Sequence, residues 1–151
     1  MNDEQKKMIE NIEGLKKITE DSTKGYGQAG DNAKDAELRT LLLRLSQQRK
    51  LFAAELADML RSLGGNPDTG STTAGTLHRK WLDVKATFTG HDNEAVIDEC
   101  IRGDRKAVDA YDETLAGHAP DYVKTKLQEQ RRLVSGAVDQ LKAIKTTVLT
   151  H

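Results

Sequence analysis

Between Leu38 and Leu63, the residues Leu38, Leu42, Leu45, Arg49, Phe52, Leu56, Met59 and Leu63 follow one another in alternating steps of four and three. On an α-helix that spacing puts all of them on one face, because surface neighbours lie three and four positions apart. A strand cannot use the pattern, since its side chains change face at every residue. The stretch therefore predicts a long helix that buries one stripe against other helices. All of these residues but one are apolar, and the exception, Arg49, stands near the midpoint. A guanidinium buried there needs a partner.

The same spacing recurs along the chain. Met8, Ile12, Leu15, Thr19, Ser22 and Tyr26 predict a first helix over 3–30, widened by Ile9 and Ile18 and capped by Asn2 or Asp3. Gly25, Gly27 and Gly30 signal its end. Residues 31–34 form a loop, and Asp35 caps a second helix over 36–63, with Glu37 favourable in its first turn. Gly64-Gly65 ends that helix. A crossover over 64–91 follows, with the turn-rich run Asn66 to Thr73 and then Leu77, Trp81, Val84 and Phe88 at helical spacing. It is read as a short fifth helix whose Trp81 and Phe88 lie against the outside of the long ones. Asp92 opens a third long helix over 92–116, with seam Ile97, Ile101, Asp104, Val108, Tyr111 and Leu115. Pro120 opens a fourth over 120–149, with seam Val123, Leu127, Gln130, Val134, Ala137, Leu141, Ile144 and Val148.

Short first and third connections make neighbouring helices antiparallel, while the long second one lets the chain run back along the bundle. The expectation is an all-α, single-domain, up-down-down-up four-helix bundle over 1–151. With its one crossover this is a ferritin-like arrangement.

Composition narrows the function classes. Charged residues make up 31% of the chain yet leave a formal net charge of -1, so no broad field is offered to nucleic acid or an anionic membrane. The single cysteine, Cys100, excludes an internal disulfide and reads as a small core residue. No apolar run is long enough for a membrane span and the N-terminus is polar, so the expected location is cytoplasmic. Phosphate loops, hydrolase triads and CxxC pairs are absent from the sequence. No enzyme activity and no cofactor are expected. The expected partner is an unidentified protein, with a homodimer open.

Each seam turns polar near its middle: Thr19 and Ser22, then Arg49, then Asp104, then Gln130. Arg49 lies 14 residues after Asp35 and Asp104 lies 12 after Asp92, so the two share a level if both helices run the same way. The expectation is a buried polar layer with an Arg49–Asp104 ion pair, completed by hydrogen bonds from Gln130 and from Thr19 or Ser22. Tyr26 and Tyr111 are read as core tyrosines whose hydroxyls find partners near the bundle ends. Ferritin-like di-metal sites at this level need Glu-x-x-His pairs. Here His78, His91, His118 and His151 all lie outside the long helices, and no glutamate precedes a histidine by three. The standard ligand set is missing. The alternative is a non-standard carboxylate site made by Asp21, Glu55, Asp104 and Glu129. His78, on the polar side of the crossover helix, reads as a surface or packing residue and not a catalytic one.

Several runs carry a resemblance: Ser22-Thr23-Lys24-Gly25-Tyr26, Gln48 to Leu56, Leu63-Gly64-Gly65, and Leu77-His78-Arg79-Lys80-Trp81-Leu82-Asp83-Val84-Lys85. Together they resemble a bacterial ferritin-like four-helix-bundle family of unknown function, a fold relative of rubrerythrins and bacterioferritins. The resemblance runs from about Ile9 to Leu141. It implies the ferritin-like fold and a bacterial cytosolic setting with a link to stress response. It transfers no catalytic or metal-binding residue, because the matching positions are not ligands.

Overall fold

The structure, a computed structural model, describes residues 2–68 and 92–149. They form four helices: α1 (Asp3–Asn32), α2 (Ala36–Leu63), α3 (Asn93–Leu115) and α4 (Asp121–Leu149). No strand occurs among the described residues. The short helix expected around Leu77 to Phe88, with His78 and Trp81, lies outside them.

The helix starts follow from local chemistry. Asn2 and Gln5 form a reciprocal capping box: Asn2 Oδ1 accepts from the Gln5 N–H, and Gln5 Oε1 accepts from the Asn2 N–H. Asp35 accepts from the Leu38 N–H at 2.9 Å, and Asp92 from the Glu94 N–H at 3.0 Å. Pro120 stands one residue ahead of α4, where its carbonyl accepts the N–H groups of Val123 and Lys124. At the end of α2, Gly64 takes the left-handed conformation (φ 84°), and the Gly65 N–H reaches back to the Leu60 carbonyl at 2.8 Å.

One helix end differs from the sequence expectation. α1 does not stop in its glycines but runs on to Asn32. Gly30 instead serves close packing: a Cβ there would lie 2.5 Å from Leu43 Cδ2 of α2. The connection to α2 is accordingly shorter than expected.

α1 packs on α2 and α3, and α4 packs on α3 and α2. The residues that meet give the directions. Thr23 meets Ser46, and Ile9 faces Gly65. Tyr26 meets Asp104, and Met8 faces Gly117. Tyr111 meets Gln130, and Asp98 meets Lys145. Glu55 meets Gln130, and Ser62 meets Tyr122. All four adjacent pairs are therefore antiparallel, and the diagonal helices α2 and α3 run in the same direction. The chain leaves α2 at one end of the bundle and enters α3 at the other.

The interior is aliphatic. Ile12, Leu15, Leu38, Leu42, Leu56, Ile97, Val123, Leu127 and Leu141 are fully buried, each contributing about 1.5–3 kcal/mol of burial free energy. On α3 the buried stripe is Ile97, Cys100, Asp104, Ala107, Tyr111 and Thr114, with Val108 and Leu115 only partly covered on its flank. Of the expected seam, Ile97, Ile101, Asp104 and Tyr111 are buried, and only Val108 and Leu115 fall at the flank. Small side chains at 100, 107, 110 and 114 face inward on α3, while Arg49, Tyr26 and Tyr111 rank among the largest fully buried side chains.

Candidate functional site

Arg49 is 2% exposed and Asp104 is fully buried. Arg49 Nη1 donates to Asp104 Oδ1 at 2.6 Å and Nη2 to Oδ2 at 2.9 Å, a bidentate pair across the α2–α3 diagonal. Tyr26 on α1 donates its hydroxyl to Asp104 Oδ2 at 2.6 Å, and the guanidinium carbon lies 5.1 Å from the Tyr26 ring centroid. The remaining Arg49 Nε–H goes to Gln48 Oε1 at 3.0 Å. Three helices thus surround a single ion pair.

A second cluster lies further along the bundle. Tyr111 is seven residues beyond Asp104 on α3, about 10 Å at 1.5 Å per residue, and donates to Gln130 Oε1 at 2.7 Å. Gln130 Nε2 donates to Glu55 Oε1 at 3.0 Å and to the Phe52 carbonyl at 3.4 Å. The other Glu55 oxygen accepts from Lys126 Nζ at 2.9 Å, which carries the network to the surface. Thr19 stands seven residues before Tyr26 on antiparallel α1, so it sits at this second level and its hydroxyl meets that of Tyr111.

The expected single layer is therefore two. Gln130 spends its amide on Tyr111, Glu55 and Phe52 instead of on the ion pair. Thr19 donates its hydroxyl proton to the Leu15 carbonyl and Ser22 donates to the Thr19 carbonyl, both within α1. Tyr26, expected near a bundle end, supplies the hydrogen bond to the ion pair, while Tyr111 bonds Gln130 at the second level. The seven-residue steps Thr19 to Tyr26 and Asp104 to Tyr111 were the signal for this, since each marks two levels on one face.

Electrostatics reinforces the closure. Burial alone would pull the Arg49 guanidinium down, but the Asp104 carboxylate and its hydrogen bonds hold it above its ordinary value. Burial, then the Asp104 charge, pushes the Tyr26 hydroxyl well up, and burial does the same to Tyr111. Both phenols stay protonated and act as donors. Cys100, one turn before Asp104, has its thiol pushed up by burial and by Asp104. It is a core residue.

The four carboxylates of the alternative metal site do not converge. Asp21 pairs with Lys17 along α1, Glu55 with Lys126, Asp104 with Arg49, and Glu129 with Arg132 on the outer side of α4. Among the described residues, no three histidine, cysteine, aspartate or glutamate side chains gather where they could hold a metal ion.

Residues 7–117, from the first turns of α1 to just past α3, match the family described as a domain of unknown function (DUF2383). The chain belongs to this family. Within this DUF2383 domain, the match includes Thr19, Tyr26, Arg49, Asp104 and Tyr111 and stops before α4 with its Gln130. No curated protein matches the chain. No helix of the described residues is long and apolar enough to cross a membrane.

Proposed function

We propose that this DUF2383 protein is a ferritin-like bundle, its crossover carrying a fifth short helix, in which an internal ion pair takes the place of a metal centre. It works without chemistry of its own, as a bacterial cytoplasmic interaction or stress-associated protein that acts through its outer surface. The observation that carries this reading is the bidentate Arg49–Asp104 contact. In ferritin-like di-metal proteins the inward-facing carboxylates and histidines at mid-bundle hold the ions. Here the inward carboxylate, Asp104, has both oxygens committed to Arg49 and Tyr26. A dication arriving there would meet a guanidinium that cannot be deprotonated at any ordinary pH.

The directions of the helices support the topology, because a chain that leaves α2 at one end and starts α3 at the other requires a crossover. The outer faces support the surface reading. Charges of both signs alternate there and pair within helices, as in Lys16–Glu20 and Arg132–Glu129, and between them, as in Lys126–Glu55, while among the described residues Leu51 and Tyr122 are exposed large hydrophobics. Such a surface suits a protein partner better than a polyanion or a bilayer.

Metal analysis of purified protein, followed by titration with iron(II) and manganese(II) in air, tests the reading. Substoichiometric metal and no iron oxidation above the buffer rate are expected. Stoichiometric metal whose binding is abolished by Asp104→Asn would overturn it.

A further inference from the structure

The described residues form two helical hairpins, α1–α2 and α3–α4, and their buried polar groups are divided between the two by charge. On the first hairpin the buried polar side chains among the described residues are Asn11, Thr19, Ser22, Ser46 and Arg49, with no carboxylate. On the second they are Asp104, Thr114 and Gln130, with no cation. The hairpins meet through Arg49–Asp104, Tyr26–Asp104 and Gln130–Phe52 carbonyl, each bond reaching from one hairpin to the other.

We propose that the Arg49–Asp104–Tyr26 cluster is a pairing device: it makes an α1–α2 hairpin accept an α3–α4 hairpin and refuse another copy of itself. Apart from this cluster both faces are apolar, the first built mainly from leucine and isoleucine and the second from valine, isoleucine and alanine, and apolar surfaces of different composition can still repack on one another. Two α1–α2 hairpins packed on each other would bury Arg49 from both copies with no buried carboxylate to meet them. Two α3–α4 hairpins would bury two Asp104 side chains with no cation. An uncompensated buried charge is strongly unfavourable, whereas a matched pair can be replaced by apolar residues at little or no loss. Like-charge rejection of the wrong partner is therefore the work this pair can do that an apolar pair cannot. It also sets the axial level, because a one-turn slip of α2 against α3 moves the guanidinium about 5.4 Å from its carboxylate. The device is independent of what the outer surface binds.

The test uses the full chain with the cluster made apolar, Tyr26→Phe/Arg49→Met/Asp104→Leu, which leaves neither a lone charge nor an orphaned hydroxyl. Light scattering after size exclusion and amide NMR spectra compare it with wild type across a hundredfold range of protein concentration. The triple variant is expected to stay helical and to melt at or above the wild-type temperature. It should nonetheless populate additional oligomers and show multiplied or broadened amide peaks. A triple variant with one species of wild-type size and one sharp set of peaks would overturn the proposal. Failure of the variant to fold would overturn it too, because the cluster would then supply stability instead of selection. As a second arm, Arg49→Asp and Asp104→Arg chains should each be poorly folded alone and form a one-to-one complex when refolded together. Mixed chains that gain no structure over the separate ones would count against pairing by charge.

Discussion

Arg49 and Asp104 lie 55 residues apart in the chain and 2.6 Å apart at their nearest atoms, on diagonal helices whose backbones do not approach closely. The contact links α2 to α3 straight through the interior. It joins the α1–α2 hairpin to the α3–α4 hairpin at one level of the bundle.

Removing one partner is expected to be far worse than removing both. Arg49→Leu or Asp104→Leu alone leaves a buried charge unmatched and should cost about 3–5 kcal/mol, read from urea unfolding followed by circular dichroism. A loss below about 1 kcal/mol in both singles would place the pair in solvent.

The Cys100 thiol, buried and pushed up by burial and by Asp104, should resist a disulfide reagent at about pH 8 in the native protein. Its modification should follow the unfolding transition as denaturant is added. Rapid labelling of folded protein would contradict its placement in the α3 stripe.

Two glycines should respond in opposite directions to alanine. Gly30→Ala drives a methyl into Leu43 and should destabilise by about 1–3 kcal/mol. At Gly136 on α4 a Cβ would meet nothing within 4 Å, so Gly136→Ala should stabilise by roughly 0.5–1 kcal/mol through helix propensity. Thermal melts of the two variants decide this.

Glu13 has its carboxyl raised by burial and by the nearby Glu10 charge. Its proton therefore favours the fold: the contribution is fully present below the ordinary carboxylate range and is lost as pH rises through the raised value. Glu13→Gln should gain stability at about pH 7, roughly 0.2–0.5 kcal/mol after solvent screening, and nothing at about pH 3. Equal gains at both pH values would assign the effect to packing.

Much of this fold is readable from spacing alone, and the exceptions have physical causes. The α2 stripe from Leu38 to Met59 follows its four-three pattern because every turn of that helix faces the core. Asp35 and Asp92 cap as their residue type dictates. Counting from those caps brings Arg49 and Asp104 to one level, since helices rise uniformly. The same counting cannot resolve two turns, so Gln130 and Thr19 were grouped with a pair that lies about 10 Å away. Gly30 carries the composition of a helix end but serves close packing, and composition cannot distinguish these uses. On α3, Val108 and Leu115 drew the seam toward the flank. The inward stripe also takes in Cys100, Ala107 and Thr114, whose small or polar side chains add little to an apolar periodicity. Tyr26 gave no sign of which carboxylate it would reach, because that depends on α3, 78 residues further on.

A double-mutant cycle on Arg49→Leu and Asp104→Leu tests the central claim most directly. If the two side chains form one closed, buried unit, the double variant recovers most of what each single loses. The predicted coupling, obtained from urea unfolding of the four proteins, is at least about 3 kcal/mol. Additive losses, with a coupling below about 0.5 kcal/mol, would show that the interior ion pair does not exist as described.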